Sequence, residues 1–166
     1  LQGSGMSSAA GSRSPTVLQT NSPTADIVQV SAPFSHISNL LFRTTVARSG
    51  GAAIQVKAGH TYVDHVRIER TYDGIDIKSP NSGGNFENIE MGKGQSVAGN
   101  WNAGLYVGGV HSGLISNPMF NNLLIGADEP FATALVVLDD GVDTPEFSNC
   151  SIVAFSGTDS TALLVR

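Results

Sequence analysis

The chain has 166 residues, the size of one domain, with a formal net charge of −5 and nine Lys plus Arg. That balance argues against a nucleic-acid partner. No stretch is long and apolar enough for a membrane span, no signal peptide is evident, and a lone cysteine excludes disulfides within the chain.

Residues 1–16 open with Leu1-Gln2-Gly3-Ser4-Gly5-Met6 and continue as a Gly- and Ser-rich loop; Gly3-Ser4-Gly5 also reads as a scar ahead of a starting Met6. Two motifs then alternate. Val28-Gln29-Val30 predicts a short strand, in–out–in, and Ile37-Ser38-Asn39-Leu40-Leu41-Phe42 follows as apolar–x–Asn–apolar–x–apolar. Next come Ile54-Gln55-Val56 and Val63-Asp64-His65-Val66-Arg67-Ile68, with His in the Asn slot. Ile75-Asp76-Ile77 precedes Phe86-Glu87-Asn88-Ile89-Glu90-Met91, and a Gly-rich insertion holding Trp101 leads to Leu105-Tyr106-Val107. Ile115-Ser116-Asn117-Pro118-Met119-Phe120, Leu135-Val136-Val137, Phe147-Ser148-Asn149-Cys150-Ser151-Ile152 and Leu163-Leu164-Val165 complete the series.

Copies of the longer motif start 26, 23, 29 and 32 residues apart, and the triplets recur every 27 on average. A period of that size carrying strand alternation predicts stacked coils, with equivalent strands pairing at roughly 4.8 Å. Nineteen glycines suit so many turns. The expected core columns are Val28, Ile54, Ile75, Leu105, Leu135 and Leu163; Leu40, Val66, Ile89, Pro118 and Cys150; and Phe42, Ile68, Met91, Phe120 and Ile152. The Asn column is expected at a sharp left-handed turn, facing inward, with amides bonded copy to copy.

These motifs resemble the right-handed parallel β-helix of the pectate-lyase-like superfamily, which includes phage tailspikes and many polysaccharide-degrading enzymes. The resemblance runs from about Val17 to Arg166 and implies an all-β solenoid of about six coils with an Asn ladder between the second and third strands of each. It further implies one β-helix domain over residues 1–166, a segment of a longer virion-tail or extracellular protein. The likeness of residues 1–6 to a tailspike opening coil and the apolar triplet at the last residue point the same way.

Function is then expected on outward positions. The first-strand column reads Gln29, Gln55, Asp76, Tyr106, Val136 and Leu164, flanked by Ser31, Lys57, Lys78, Gly108, Leu138 and Arg166, polar early and apolar late. The apolar end implies burial, either against sister chains of a homotrimer or under a loop of the same chain. Gln55, Asp76, Lys78, Tyr106 and Trp101 form the candidate strip for a bacterial surface polysaccharide, because sugars take amide and carboxylate hydrogen bonds and stack on aromatic faces. The bland alternatives are a solvated sheet face and a Trp that pins its loop.

Catalysis by a polysaccharide-degrading enzyme would need paired carboxylates, and Asp73, Asp76, Asp139 and Asp140 are the local candidates. No carboxylate stands in register with Asp76. Asp73-Gly74-Ile75-Asp76 resembles the first acidic motif of polygalacturonases, but the remaining motifs of that family are missing. A purely architectural segment with no ligand is the third reading. Asp139-Asp140-Gly141 reads first as a turn. The four histidines lack metal-ligand spacing, and nothing asks for a cofactor. The sequon Asn149-Cys150-Ser151 falls on the inward ladder and is expected to be inaccessible.

Overall fold

Short β-branched segments separated by turn residues have no helical periodicity to follow, and in the computed structural model every regular element among the described residues is a strand. The structure describes residues 16–78, 81–92, 101–108, 114–127, 133–154 and 161–166. The strands are β1 (Thr16–Thr20), β2 (Val28–Val30), β3 (His36–Thr44), β4 (Ala52–Val56), β5 (Thr61–Glu69), β6 (Asp73–Ile77) and β7 (Asn81–Met91). They continue as β8 (Ala103–Val107), β9 (Ile115–Ala127), β10 (Ala134–Leu138), β11 (Val142–Asp143), β12 (Glu146–Ser148), β13 (Ser151–Ala154) and β14 (Leu163–Val165).

Strands alternate between two parallel sheets. The first runs β1-β3-β5-β7-β9, with β11, β12 and β13 all paired to β9, and the second runs β2-β4-β6-β8-β10-β14. The fold is a parallel β-helix. It makes about four turns, fewer than the six expected. The four full coils are β3/β4, β5/β6, β7/β8 and β9/β10, whereas the end levels hold only short strands.

Each full coil bends at two left-handed corners. Phe34, His60, Gly83, Asn117 and Thr144 form one corner column, with φ between 44° and 61°. Five residues further along every coil, Asn39, His65, Asn88, Asn122 and Asn149 form the other, with φ from 50° to 57°. This second column is the Asn ladder, and it corrects the fourth motif. The register pairs Glu87 with Asn121 and Ile89 with Leu123, which puts Asn122 and not Asn117 above Asn88. The true motif is Phe120-Asn121-Asn122-Leu123-Leu124-Ile125, with the same pattern five residues on. Pro118 and Phe120 therefore leave their expected columns to Leu123 and Ile125.

The ladder is also not inward. Asn39 and Asn88 are half-buried, and His65, Asn122 and Asn149 are exposed. A left-handed corner keeps the side chain at the coil rim, where it still bonds along the stack: Asn122 Nδ2 donates to Asn88 Oδ1 at 2.9 Å. His65 breaks the chain of amides, so Asn88 Nδ2 donates instead to Asp64 Oδ1 at 3.0 Å, beside His65 Nδ1 at 2.5 Å. Asn149 Nδ2 reaches Asn121 Oδ1 at 3.2 Å. The exposure of Asn149 overturns the expectation that its sequon is inaccessible.

The core lies between the sheets. Ile54, Ile75 and Leu105 stack in one column, Leu40, Val66 and Ile89 in another, and all are essentially without solvent contact. Phe86, Phe120 and Phe147 add an aromatic stack, with successive centroids 5.3 and 4.8 Å apart. Cys150 is half-buried against this core. In β10 the expected register is off by one residue: Leu105 pairs with Val136 and Tyr106 with Val137. Ala134–Leu138 is apolar throughout, so its pattern cannot tell one face from the other.

Candidate functional site

The strip on the second sheet forms as a column. Gln55, Asp76 and Tyr106 are direct neighbours in successive coils, and Lys78 and Asp139 follow the strand ends beside them. At one strand step apart, long polar side chains reach each other and pair. Gln55 Nε2 donates to Asp76 Oδ2 at 3.3 Å, and Lys78 Nζ lies 3.0 Å from Asp76 Oδ1 and 5.2 Å from the centre of the Tyr106 ring. Tyr106 Oη donates to Asp139 Oδ2 at 2.7 Å, while Arg166 Nη2 donates to Tyr106 Oη at 3.0 Å and sits 3.3 Å from Asp139 Oδ2. At Gly108, φ is +124° and an added Cβ would lie 2.5 Å from that of Asp139, so glycine keeps the line closed up.

This line is interior in character. Asp76 is 5% exposed, and burial raises its pKa against the opposing pull of Lys78. Burial, then the neighbouring Asp139 carboxylate, pushes the Tyr106 phenol up to about 12. Asp73 is raised to about 6, chiefly by burial and further by Asp76, although Asn102 Nδ2 donates to it at 2.8 Å. Asp140 is exposed at the turn and its N–H caps Asp139 Oδ1 at 3.0 Å.

Trp101 is 4% exposed and packs into the core, so its ring is buried and not presented at the surface. The apolar continuation of the strip is likewise not open. Val137, which takes the outward place expected for Val136, is fully buried within this one chain.

A second polar face lies on the first sheet, between the two corner columns. Its outward positions are His36, Tyr62, Asn85, Met119 and Glu146 in one register column, and Asp64, Glu87, Asn121 and Ser148 in the other, which begins at Ser38, itself buried. A groove of 470 Å³ runs along it, lined by Met119 of the outward column and by Phe147, the 38% exposed end of the inward Phe86–Phe120–Phe147 stack, and fronted by Asn85, Asn121, Glu87 and Glu146. It continues past Asn85 and Met119 into a depression of 230 Å³ beside His60 and Tyr62, where Gly83 and Gly84 leave the rim without side chains. Phe34 stacks on His60 at 5.0 Å on that rim, and the His36 and Tyr62 rings approach to 4.6 Å.

Asp64 and Glu87 are register neighbours, a carboxylate pair one strand step apart. Asn88 and His65 hold Asp64 below the usual carboxylate range against the opposing effect of burial, the largest single influence on it. Tyr62 Oη donates to Glu87 Oε1. The signal for this face was in the sequence, at the alternate positions ahead of each corner. The misplaced fourth motif hid it by putting Ser116 where Asn121 belongs.

Among the described residues no three His, Cys, Asp or Glu side chains converge as a metal site, and no helix is long and apolar enough to cross a membrane. No family model, curated protein or solved structure matches the chain.

Proposed function

We propose that this β-helix binds an extended polysaccharide along the groove of the first sheet. The groove itself carries the reading: Met119 and Phe147 offer thioether and aromatic surface for sugar C–H faces, beside amides and carboxylates for hydroxyls, across three coil levels. The pectate-lyase-like and tailspike resemblance supports a bacterial surface polysaccharide as ligand and a homotrimer on a virion tail or outside the cell as setting. The strip of Gln55, Asp76, Lys78 and Tyr106 serves the stack instead, since its groups pair with one another.

Calorimetry against defined capsule and lipopolysaccharide fragments tests this, with Phe147→Ala and Tyr62→Ala expected to weaken binding about tenfold. Lys78→Ala should leave affinity unchanged; loss of binding only in Lys78→Ala would return the site to the second sheet. Native mass measurement of the assembled protein checks the trimer.

One observation favours polysaccharide hydrolysis as a second reading. Asp64 and Glu87 are register partners on adjacent strands, which sets two carboxylates side by side as a retaining pair requires. New reducing ends released by the native protein, and not by Glu87→Gln, are the expected signature.

A further inference from the structure

We infer that the groove selects a saccharide bearing protonated amino groups, an amino-sugar polymer, over neutral or uronic-acid chains. This rests on the saccharide-binding reading and narrows its ligand by charge complementarity. Glu87 and Glu146 line the groove, and none of the described residues lining it is a lysine, arginine or histidine. Asp64 continues the Glu87 column on the next coil, where Asn88 and His65 favour its ionised form.

Between Glu87 and Glu146 a uronate chain would bring its carboxylates against fixed negative charge with no basic side chain among the lining residues, the nearest histidines being His60 in the adjoining depression and His65 beside Asp64; this is the repulsive half of selectivity. An ammonium group meets the opposite situation. Glu87 receives the Tyr62 hydroxyl on Oε1, a neutral donor that leaves its negative charge in place and its second oxygen able to accept. Phe147, 38% exposed, and Met119, 48% exposed, offer the apolar face beside it, and an aromatic face also attracts a cation. Glu87 and Glu146 stand two coil levels apart and one column over, roughly 12 Å at standard strand spacing and rise, a span that suits amino groups on separate units of one chain. The amides of Asn85 and Asn121 between them match sugar hydroxyls better than the aliphatic stems of a basic peptide.

The test compares three oligomers of equal length at mildly acidic pH by calorimetry: β-1,4-linked glucosamine, its fully N-acetylated form, and galacturonate. The glucosamine oligomer should bind about tenfold more tightly than the acetylated one, the worth of one well-placed charge pair, with galacturonate weakest and added salt narrowing the gap. In the Glu87→Gln, Glu146→Gln double variant the preference should vanish while the acetylated oligomer keeps its affinity; Gln at 87 retains an acceptor for Tyr62, and circular dichroism checks the fold. Equal or tighter binding of the acetylated or acidic oligomer, or a preference that survives the double variant, overturns the inference alone. Failure of every oligomer to bind overturns the saccharide-binding reading with it. Oligolysine binding that depends on the same glutamates, without glucosamine binding, would make the groove a peptide site and also overturn it.

Discussion

On the second sheet Asp76, Lys78, Tyr106, Asp139 and Arg166 bond to one another in a line, whereas on the first sheet Asn85, Glu87, Asn121 and Glu146 front a groove. Both faces are built from outward side chains at the same coil spacing. The difference is what stands between the polar groups. On the second sheet Asp76 pairs with Lys78 of its own coil and Asp139 with Arg166 of the next, Tyr106 lies between the two pairs, and Gly108 lets the levels close up. On the first, Met119 interrupts the polar column and Gly83 and Gly84 strip the rim, so hydrogen-bonding groups face outward. Hydrogen bonds are occupied on both faces, since Glu87 accepts from Tyr62 and Asn121 from Ser148 and Asn149; the faces differ instead in burial, with Asp76 5% exposed on the second sheet and Glu146 exposed on the first.

Val137→Asp should have the largest effect on this contrast. A carboxylate would replace a side chain without solvent contact on the second sheet, and a loss of about 4 kcal/mol or more in denaturant unfolding is expected. An unchanged midpoint would mean that face is open after all.

Asp73→Asn comes next, through pH. The carboxyl's folded pKa of about 6 lies above its ordinary 3.8, so its contribution is fully present below about pH 3.8 and lost as pH rises through 6. The native protein should therefore lose roughly 1–3 kcal/mol between those limits, and the Asn variant should not, which makes the variant the more stable at pH 7.5. Parallel stability curves for the two proteins would contradict the assigned burial.

Tyr106→Phe removes the hydroxyl shared by Asp139 and Arg166, with an expected cost of about 1 kcal/mol and no change in glycan affinity. A matching loss of affinity would return function to the second sheet. The smallest effect is expected of Met119→Asp on the groove, where a half-exposed position should tolerate the charge within about 0.5 kcal/mol. Thermal melts of these two variants side by side would show whether the faces differ as described.

Much of this architecture was legible beforehand. The in–out–in triplets predicted every strand of the second sheet, and the Asn motif located its corner in four of five coils, because only a few residues tolerate a left-handed backbone. Asn117 misled because it too sits in a left-handed corner, of the other column, five residues before Asn122. Leu135 misled because Ala134–Leu138 has no polar phase to set its register. Trp101 was expected beside the strip, yet its ring packs into the core.

The sequence by itself determined the coil: its period, its strands and its need for turns, since those follow from alternation and backbone preference within a few residues. Only the stacked structure decided which of two overlapping Asn motifs continues the ladder, that Val137 is covered, and that the polar strip bonds along its own line, Gln55 Oε1 excepted, while the neighbouring face borders a groove. Those outcomes depend on contacts between residues some 20 to 35 positions apart, and local pattern carries no information about which partner arrives one coil above.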